Sequence, residues 1–174
     1  MKDKIKLFSL CFGDSEQSVR EFFAIADVIT LTEYEENELV AMASLVPLKT
    51  ESGMRGFYAY GVCVHPKHRG KGAFRRIMLS CEAYAKEHGA DFVCLIPADE
   101  RLSESYMRMG YIQKTELCHN ASEGAEHIFV LSDGFIVYAT PEGAEKGAIP
   151  YGLTKPLDRK IKCKMAFFSP MGDC

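Results

Sequence analysis

The sequence predicts an α/β domain layered on a mixed sheet. Three observations lead there. Apolar residues recur at helical spacing from Lys71 to His88. The strand Asp91 to Ile96 is continuously apolar after its first residue, as a strand buried on both faces is. Between an earlier strand and the helix at 71–88 lies a Gly-rich turn.

In chain order, two helices come first. Ile5, Phe8, Leu10, Cys11 and Phe12 supply the apolar residues of the first, and Gly13 breaks it. Asp14 is placed to cap the second, with Glu16 in its first turn and Gln17 three residues on. Val19, Phe22, Phe23 and Ile25 give that helix an apolar stripe. Val28 to Glu35 and Leu39 to Leu48 read as two strands of a hairpin turning at Glu36-Asn37. Lys49 to Gly56 is a polar loop, and Phe57 to His65 a third strand stopped by Pro66. In the helix at 71–88, Phe74, Ile77, Met78, Cys81, Tyr84 and Ala85 mark one face, and Gly89 ends it. Pro97 closes the strand at 91–96, and Asp99 caps a short helix running to Met109, closed by Gly110. Tyr111 to Cys118, His127 to Leu131 and Phe135 to Ala139 read as strands. From Pro141 onward Gly, Pro and Lys dominate, and no element is assigned.

Composition bounds the function. The chain has 174 residues, a length that fits one domain with its own core. A net charge of −3 lacks the basic excess of a nucleic-acid binder. No apolar run approaches the roughly 20 residues that span a bilayer. Met1-Lys2-Asp3-Lys4 leads into an amphipathic stretch rather than a signal peptide. Neither nucleic acid nor a membrane is therefore expected as a partner. Cys11, Cys63, Cys81, Cys94, Cys118, Cys163 and Cys174 are odd in number and form no C-x-x-C pair, so reduced thiols in a cytoplasm are expected. Cys63 and Cys94 sit in apolar runs as small core residues do.

The chemistry is concentrated in Tyr60-Gly-Val-Cys-Val-His-Pro-Lys-His-Arg-Gly-Lys-Gly-Ala-Phe74, a strand running through a turn into a helix. Free N–H groups and the positive end of the dipole meet at any helix start. Gly70 and Gly72 leave room for an anion at the backbone, and Lys67, Arg69 and Lys71 add charge. Such a turn cradles a phosphate or pyrophosphate. The P-loop string is absent, because Ala73 follows Gly72. The dinucleotide fingerprint fails too, because its third Gly would fall at Arg75.

Val64-His65-Pro66 followed by Lys67-His68-Arg69-Gly70-Lys71-Gly72 resembles motif A of the GNAT N-acetyltransferase superfamily, with Lys67 where the family usually has Gln or Arg. Phe92 to Ile96 fits the family's next strand, and Tyr106-Met-Arg-Met-Gly110-Tyr111 matches its Y-x-x-x-G-F/Y helix end. The likeness covers about residues 28 to 115, and Leu95-Ile-Pro-Ala98 is similar to a group of bacterial members. No strand precedes the first helix, where the family usually has one. The resemblance implies a mixed, mostly antiparallel sheet flanked by helices, with central strands that splay apart. It implies a GNAT-like domain over 1–140 and a C-terminal extension over 141–174 packed on it. Some relatives add a second acetyltransferase-like half and a further domain, for which this chain is too short.

The same resemblance implies acetyl-CoA as co-substrate and an amine, of a small molecule or a protein, as acceptor. Residues at family positions for the cofactor are Val62, Cys63, Val64, Lys67, His68, Arg69, Gly70, Lys71, Gly72, Ala73 and Phe74. Tyr106 takes the family's place for the acid that protonates the leaving thiolate, and a phenol lies within about two pKa units of a thiol. The base is open: the pre-turn strand offers Tyr58 and Tyr60 in place of the Glu of some relatives, while Glu33, Glu35 or a water chain are candidates. Glu33, Glu35, Glu36 and Glu38 either favour a cationic acceptor or form a solvated hairpin. Tyr106 has a packing role as its plain alternative. A module that binds acyl-CoA without turnover is the alternative for the whole chain, and a different acyl chain is a third reading. His65 and His68 stand three apart, but no cysteine or carboxylate near them in sequence completes a ligand set, so no metal is expected. Exposed β-edges in the tail would let two chains pair as a homodimer.

Overall fold

The structure is a computed structural model that describes residues 1–25, 28–118, 123–131, 149–158 and 160–168. The strand expected at 135–139 and the thiol of Cys174 lie outside the described residues. The chain divides into two units. The first takes Met1–Val46 and Ala59–Tyr84; the second takes Pro47–Tyr58, Ala85–Leu131 and the described residues from 149 on.

In the first unit, α1 (Lys2–Phe12) ends at Gly13, whose N–H donates to the Ser9 carbonyl at 2.9 Å. Helix α2 (Glu16–Ile25) is capped by Ser15 rather than the expected Asp14: the Ser18 N–H donates to Ser15 Oγ at 3.1 Å. Both are capping residues, and the one directly before the first helical residue takes the role. Strands β1 (Ile29–Glu35) and β2 (Glu38–Thr50) pair antiparallel across a two-residue turn, Glu36 and Asn37, both at positive φ, as tight hairpins require. The register passes from Glu33↔Ala41 to Tyr34↔Leu39 and skips Val40. An extra residue flips the side-chain alternation, so Leu39 and Met42 share one face. That face packs with Ile5, Leu7 and Phe8 of α1, Val19 of α2 and Cys63 of β3 (Arg55–Val64). Burial of such side chains contributes about 1.5–3 kcal/mol each. Phe8 is the hub, with its ring against Phe12, Phe22, Phe23 and Tyr60. The strand order here is β1-β2-β3. Helix α3 (Ala73–Glu87) follows the Gly-rich turn and buries Ile77, Met78 and Cys81.

In the second unit β3 is followed across the sheet by β4 (Phe92–Leu95), β7 (Tyr151–Pro156), β5 (Gln113–Cys118), β8 (Lys164–Phe168) and β6 (Ala125–Val130), and β6 also pairs with the end of β2. Strand β4 (Phe92–Leu95) runs parallel to β3, in a register covering Gly56 to Tyr58, while β3 itself runs on to Val64. After α4 (Glu100–Arg108) come β5 (Gln113–Cys118) and β6 (Ala125–Val130). The tail carries two strands that the sequence did not reveal. Strand β7 (Tyr151–Pro156) lies antiparallel between β4 and β5, and β8 (Lys164–Phe168) runs parallel to β5 and β6. The buried hydroxyls of Thr115 and Thr154 bond across the β5–β7 pair. Parallel and antiparallel pairs are thus mixed, as expected of this α/β fold. No helix among the described residues is long and apolar enough to cross a membrane.

Candidate functional site

The candidate anion site is built where β3 passes into α3, within the first unit. Pro66–His68 form one 3₁₀ turn, and Arg69 to Gly72 lead into the helix. Gly70 and Gly72 stand at φ 76° and 83°, a left-handed conformation that a side chain would strain. An added Cβ at Gly70 would meet nothing within 4 Å, and at Gly72 only Arg76 Nη1 at 3.5 Å. The backbone is therefore open to an approaching ligand on this side. The first turn of α3 carries no acidic residue to oppose an anion at its N-terminus. Lys67, Arg69, Gly70, Lys71 and Gly72 are exposed, His68 and Phe74 are half-buried, and Ala73 is buried beneath the turn. The turn is thus open at its glycines and rich in exposed cationic side chains.

Upstream, Val62 is half-buried while Cys63 and Val64 are buried. Gly61 stands here at φ 59°, a left-handed conformation within the strand, close to the Phe8 ring. The Cys63 side chain joins the core with α1 and does not face an outside ligand. Tyr60 sits in the aromatic cluster, and burial, followed by the negative charge of Asp14, raises its phenol above the ordinary 10.

Electrostatics around the turn hold what a local reading of the sequence misses. Arg76, one turn into α3, donates to the Lys71 carbonyl at 3.2 Å and pairs with Glu35 and, at 3.9 Å, with Glu33. Ser80 donates to Glu33 at 3.1 Å. Both candidate bases are thus already engaged. Glu35 also meets His68 Nδ1 at 2.9 Å. That contact, opposed by desolvation and helped by Arg76, holds the Glu35 carboxyl below the usual carboxylate value. The expectation that no carboxylate completes the His65/His68 pair is corrected: Glu38 comes within 3.9 Å of His65 and 3.4 Å of His68. The hairpin brings it from 27 residues away in sequence, beyond any spacing rule. Cys11 is a second residue the sequence did not flag. Its thiol donates to the Val64 carbonyl at 3.5 Å, and Arg69 Nε donates to the same oxygen at 3.3 Å. A hydrogen bond from Cys63, opposed by burial and aided by the Arg69 charge, lowers Cys11 to about 7.

Tyr106 belongs to the second unit, in the last turn of α4. That helix starts where Asp99 Oδ1 accepts the Leu102 N–H at 2.7 Å, as expected. It ends on Gly110, with the Gly110 N–H on the Met107 carbonyl and the Tyr111 N–H on the Tyr106 carbonyl. This is the paired bonding of a Schellman stop. The Tyr106 ring is buried and meets the Tyr111 ring edge-on.

With this geometry, comparison with known proteins is informative. The family described as Acetyltransferase (GNAT) domain matches residues 1–113. Among solved structures, a GNAT family N-acetyltransferase (YhbS) from Escherichia coli in complex with CoA superposes with a TM-score of 0.59 at 14% identity, over 95% of this chain and 81% of that one. The ribosomal-protein-S18-alanine N-acetyltransferase from Escherichia coli gives 0.55 at 9%, over 92% and 90%. A GCN5-related N-acetyltransferase from Anabaena variabilis gives 0.54 at 17%, over 64% of this chain; the chain spans only 28% of the length of that protein. At such identities these neighbours establish the fold. No protein of curated function matches the sequence. The domain match over most of the chain, on a fold that carries the phosphate-type turn and the Tyr-x-x-x-Gly-Tyr helix stop, makes the chain a member of the GNAT acetyltransferase family.

Proposed function

We propose that the chain transfers an acetyl group from acetyl-CoA to an amine of a small molecule or protein, by direct attack on the thioester. The observation that carries this is the turn before α3. Two left-handed glycines open the backbone, and exposed Lys67, Arg69 and Lys71 surround the helix start. In this reading the N–H groups of Gly70 to Ala73 hold the pyrophosphate, with His68 and Phe74 flanking it. A backbone N–H of Val62 to Val64 serves the thioester oxygen as charge develops there.

The acceptor attacks as the free amine, so a proton must leave first. Glu35 is a poor base for that step, because His68 and Arg76 hold it ionised. Glu33 is tied to Arg76 and Ser80. Water carries the proton to solvent in this account. Tyr106 then donates its phenolic proton to the departing thiolate. The six free cysteines among the described residues suit a reducing compartment, and we assign the chain to the cytoplasm.

One observation favours the reading without turnover: packing and helix termination alone account for the Tyr106 motif. The test is release of CoA thiol with a panel of amines, by wild type and Tyr106→Phe. Amine-dependent release that falls by roughly 10²–10⁴ in the variant, with acetyl-CoA affinity retained, supports transfer with Tyr106 as acid. Binding without release under any amine supports the binding module. Release unchanged in Tyr106→Phe removes Tyr106 from the chemistry.

A further inference from the structure

We propose that His65, His68 and Glu38 form a binding site for a divalent transition-metal ion of the zinc class, with Glu35 fixing His68 in its ligating tautomer. The inference is independent of acetyl-CoA use.

The three side chains each offer one ligand atom, and these atoms all lie within 4.8 Å of one another. Glu38 Oε2 stands 3.4 Å from His68 Nε2, and Glu38 Oε1 3.9 Å from His65 Nε2. Two ligands on one tetrahedral ion with bonds of about 2.0–2.2 Å are roughly 3.3–3.5 Å apart. The Glu38–His68 pair already has that spacing, and His65 reaches it by a small ring movement.

The hydrogen bonds around His68 point the same way. Its Nδ1 lies 2.9 Å from Glu35 Oε2, an acceptor that places the ring proton on Nδ1. The Nε2 lone pair then faces the Glu38 carboxylate. Either a second ring proton or a metal cation must then stand between these two acceptors, and the spacing accommodates the metal. Arg76 holds the other oxygen of Glu35, so the orienting carboxylate is itself fixed. Against these stands one contact: His65 Nδ1 accepts the Lys67 N–H at 3.3 Å. Metal on His65 Nε2 moves the ring proton to Nδ1 and gives up that long bond.

Charge and access complete the case. Glu33, Glu35 and Glu38 gather here around the Arg76 guanidinium, with the Lys67 and Arg69 charges of the turn next to the imidazoles. The imidazoles are shielded, at 19% and 16% exposure for His65 and His68, while Glu38 is 57% exposed at the mouth. His65 and Glu38 also line a groove of about 590 Å³ with Asp3, Lys6, Leu7 and Leu39, which gives water access to an open fourth position. Two imidazoles and one carboxylate suit zinc, cobalt or nickel rather than magnesium or calcium. A bound ion would clip the β1–β2 hairpin to the turn before α3.

The test is titration of the untagged 174-residue chain with Co²⁺, followed by visible absorption, and with Zn²⁺ in chelator competition. One ion per chain, with the ligand-field bands of a nitrogen/oxygen site, is expected. His65→Ala, His68→Ala and Glu38→Gln should each weaken binding at least tenfold, Glu35→Gln by about tenfold, and His88→Ala not at all. Glu38→Gln keeps the test valid if a histidine variant folds poorly, since its side chain is largely solvent-exposed. Absence of stoichiometric uptake overturns the proposal, leaving His68 clamped by a proton. A thiolate charge-transfer band, or affinity unchanged in Glu38→Gln and His68→Ala, places the ion elsewhere and overturns it too.

Discussion

The Tyr111 N–H donates to the Tyr106 carbonyl at 3.2 Å, and the two rings meet edge-on with centroids 5.8 Å apart. The Tyr-x-x-x-Gly-Tyr string is therefore a helix stop, with the contact across it that such stops favour. Tyr111 is fully buried, so Tyr111→Ala should cost about 3–5 kcal/mol. Tyr106→Phe keeps the ring and should cost under about 1 kcal/mol. Urea unfolding of both variants checks this. A large loss in Tyr106→Phe would mean that its hydroxyl is structural, and would spoil it as a probe of chemistry.

Gly61 tests how closely Phe8 packs on β3. An added Cβ would stand 2.6 Å from Phe8 Cε2, at a φ of 59°. Strain from the left-handed backbone and overpacking against the ring together predict a loss of about 2–4 kcal/mol for Gly61→Ala. At Gly13, φ is 81° but nothing lies within 4 Å, so Gly13→Ala should cost about 1–2 kcal/mol. Equal losses at the two sites would show that Phe8 does not press on the strand.

Cys11 should be the first thiol to react. With a pKa of about 7 it is largely ionised in mildly alkaline buffer, whereas burial pushes Cys81 up to about 12 and also raises Cys94, and the hydrogen bond with Cys11, followed by burial, raises Cys63. Alkylation followed by mass spectrometry should show the Cys11 rate levelling above pH 7. Arg69→Gln removes a nearby positive charge and should move that midpoint upward. Modification of Cys81 or Cys94 before Cys11 in folded protein would contradict the assignment.

Glu35 sets a pH dependence of known sign. Its contact with His68, then those with Arg76, hold it below its ordinary 4.5. A carboxyl depressed on folding adds stability that is full above its unfolded value and is lost as pH falls through the folded one. Carboxyl NMR should place the Glu35 midpoint below 4.5, and Glu35→Gln should flatten the acid limb of the stability curve there. A midpoint at or above the ordinary value would show that the pairing is not formed in solution.

These residues also show what the sequence could and could not reveal. The hairpin turn at Glu36-Asn37, the Asp99 cap and the Gly110 stop are local signals, and each stands where the sequence puts it. The turn from Gly70 to Gly72 was legible for the same reason. Strand β7 was not: Tyr151-Gly-Leu-Thr-Lys-Pro156 carries both Gly and Pro, and its identity as a strand comes from partners at 92–95 and 113–116. The Glu35/Glu38 approach to His65/His68 and the Cys11 approach to Val64 are likewise products of tertiary packing. Asp14 lost the cap to Ser15 because two capping residues adjoin, and propensity alone does not choose between them.

The measurement that tests the account most directly is thermal unfolding with and without acetyl-CoA, with ATP as control, for wild type and Gly70→Asp. Asp tolerates the left-handed position and has open space there, so the variant should fold while setting a carboxylate in the anion site. Acetyl-CoA at 100 times its dissociation constant should stabilise wild type by about 2.7 kcal/mol, or several degrees, with less effect from ATP and little shift in the variant. No shift in wild type at saturating acetyl-CoA, or an equal shift in Gly70→Asp, would contradict the turn before α3 as the site that holds the donor.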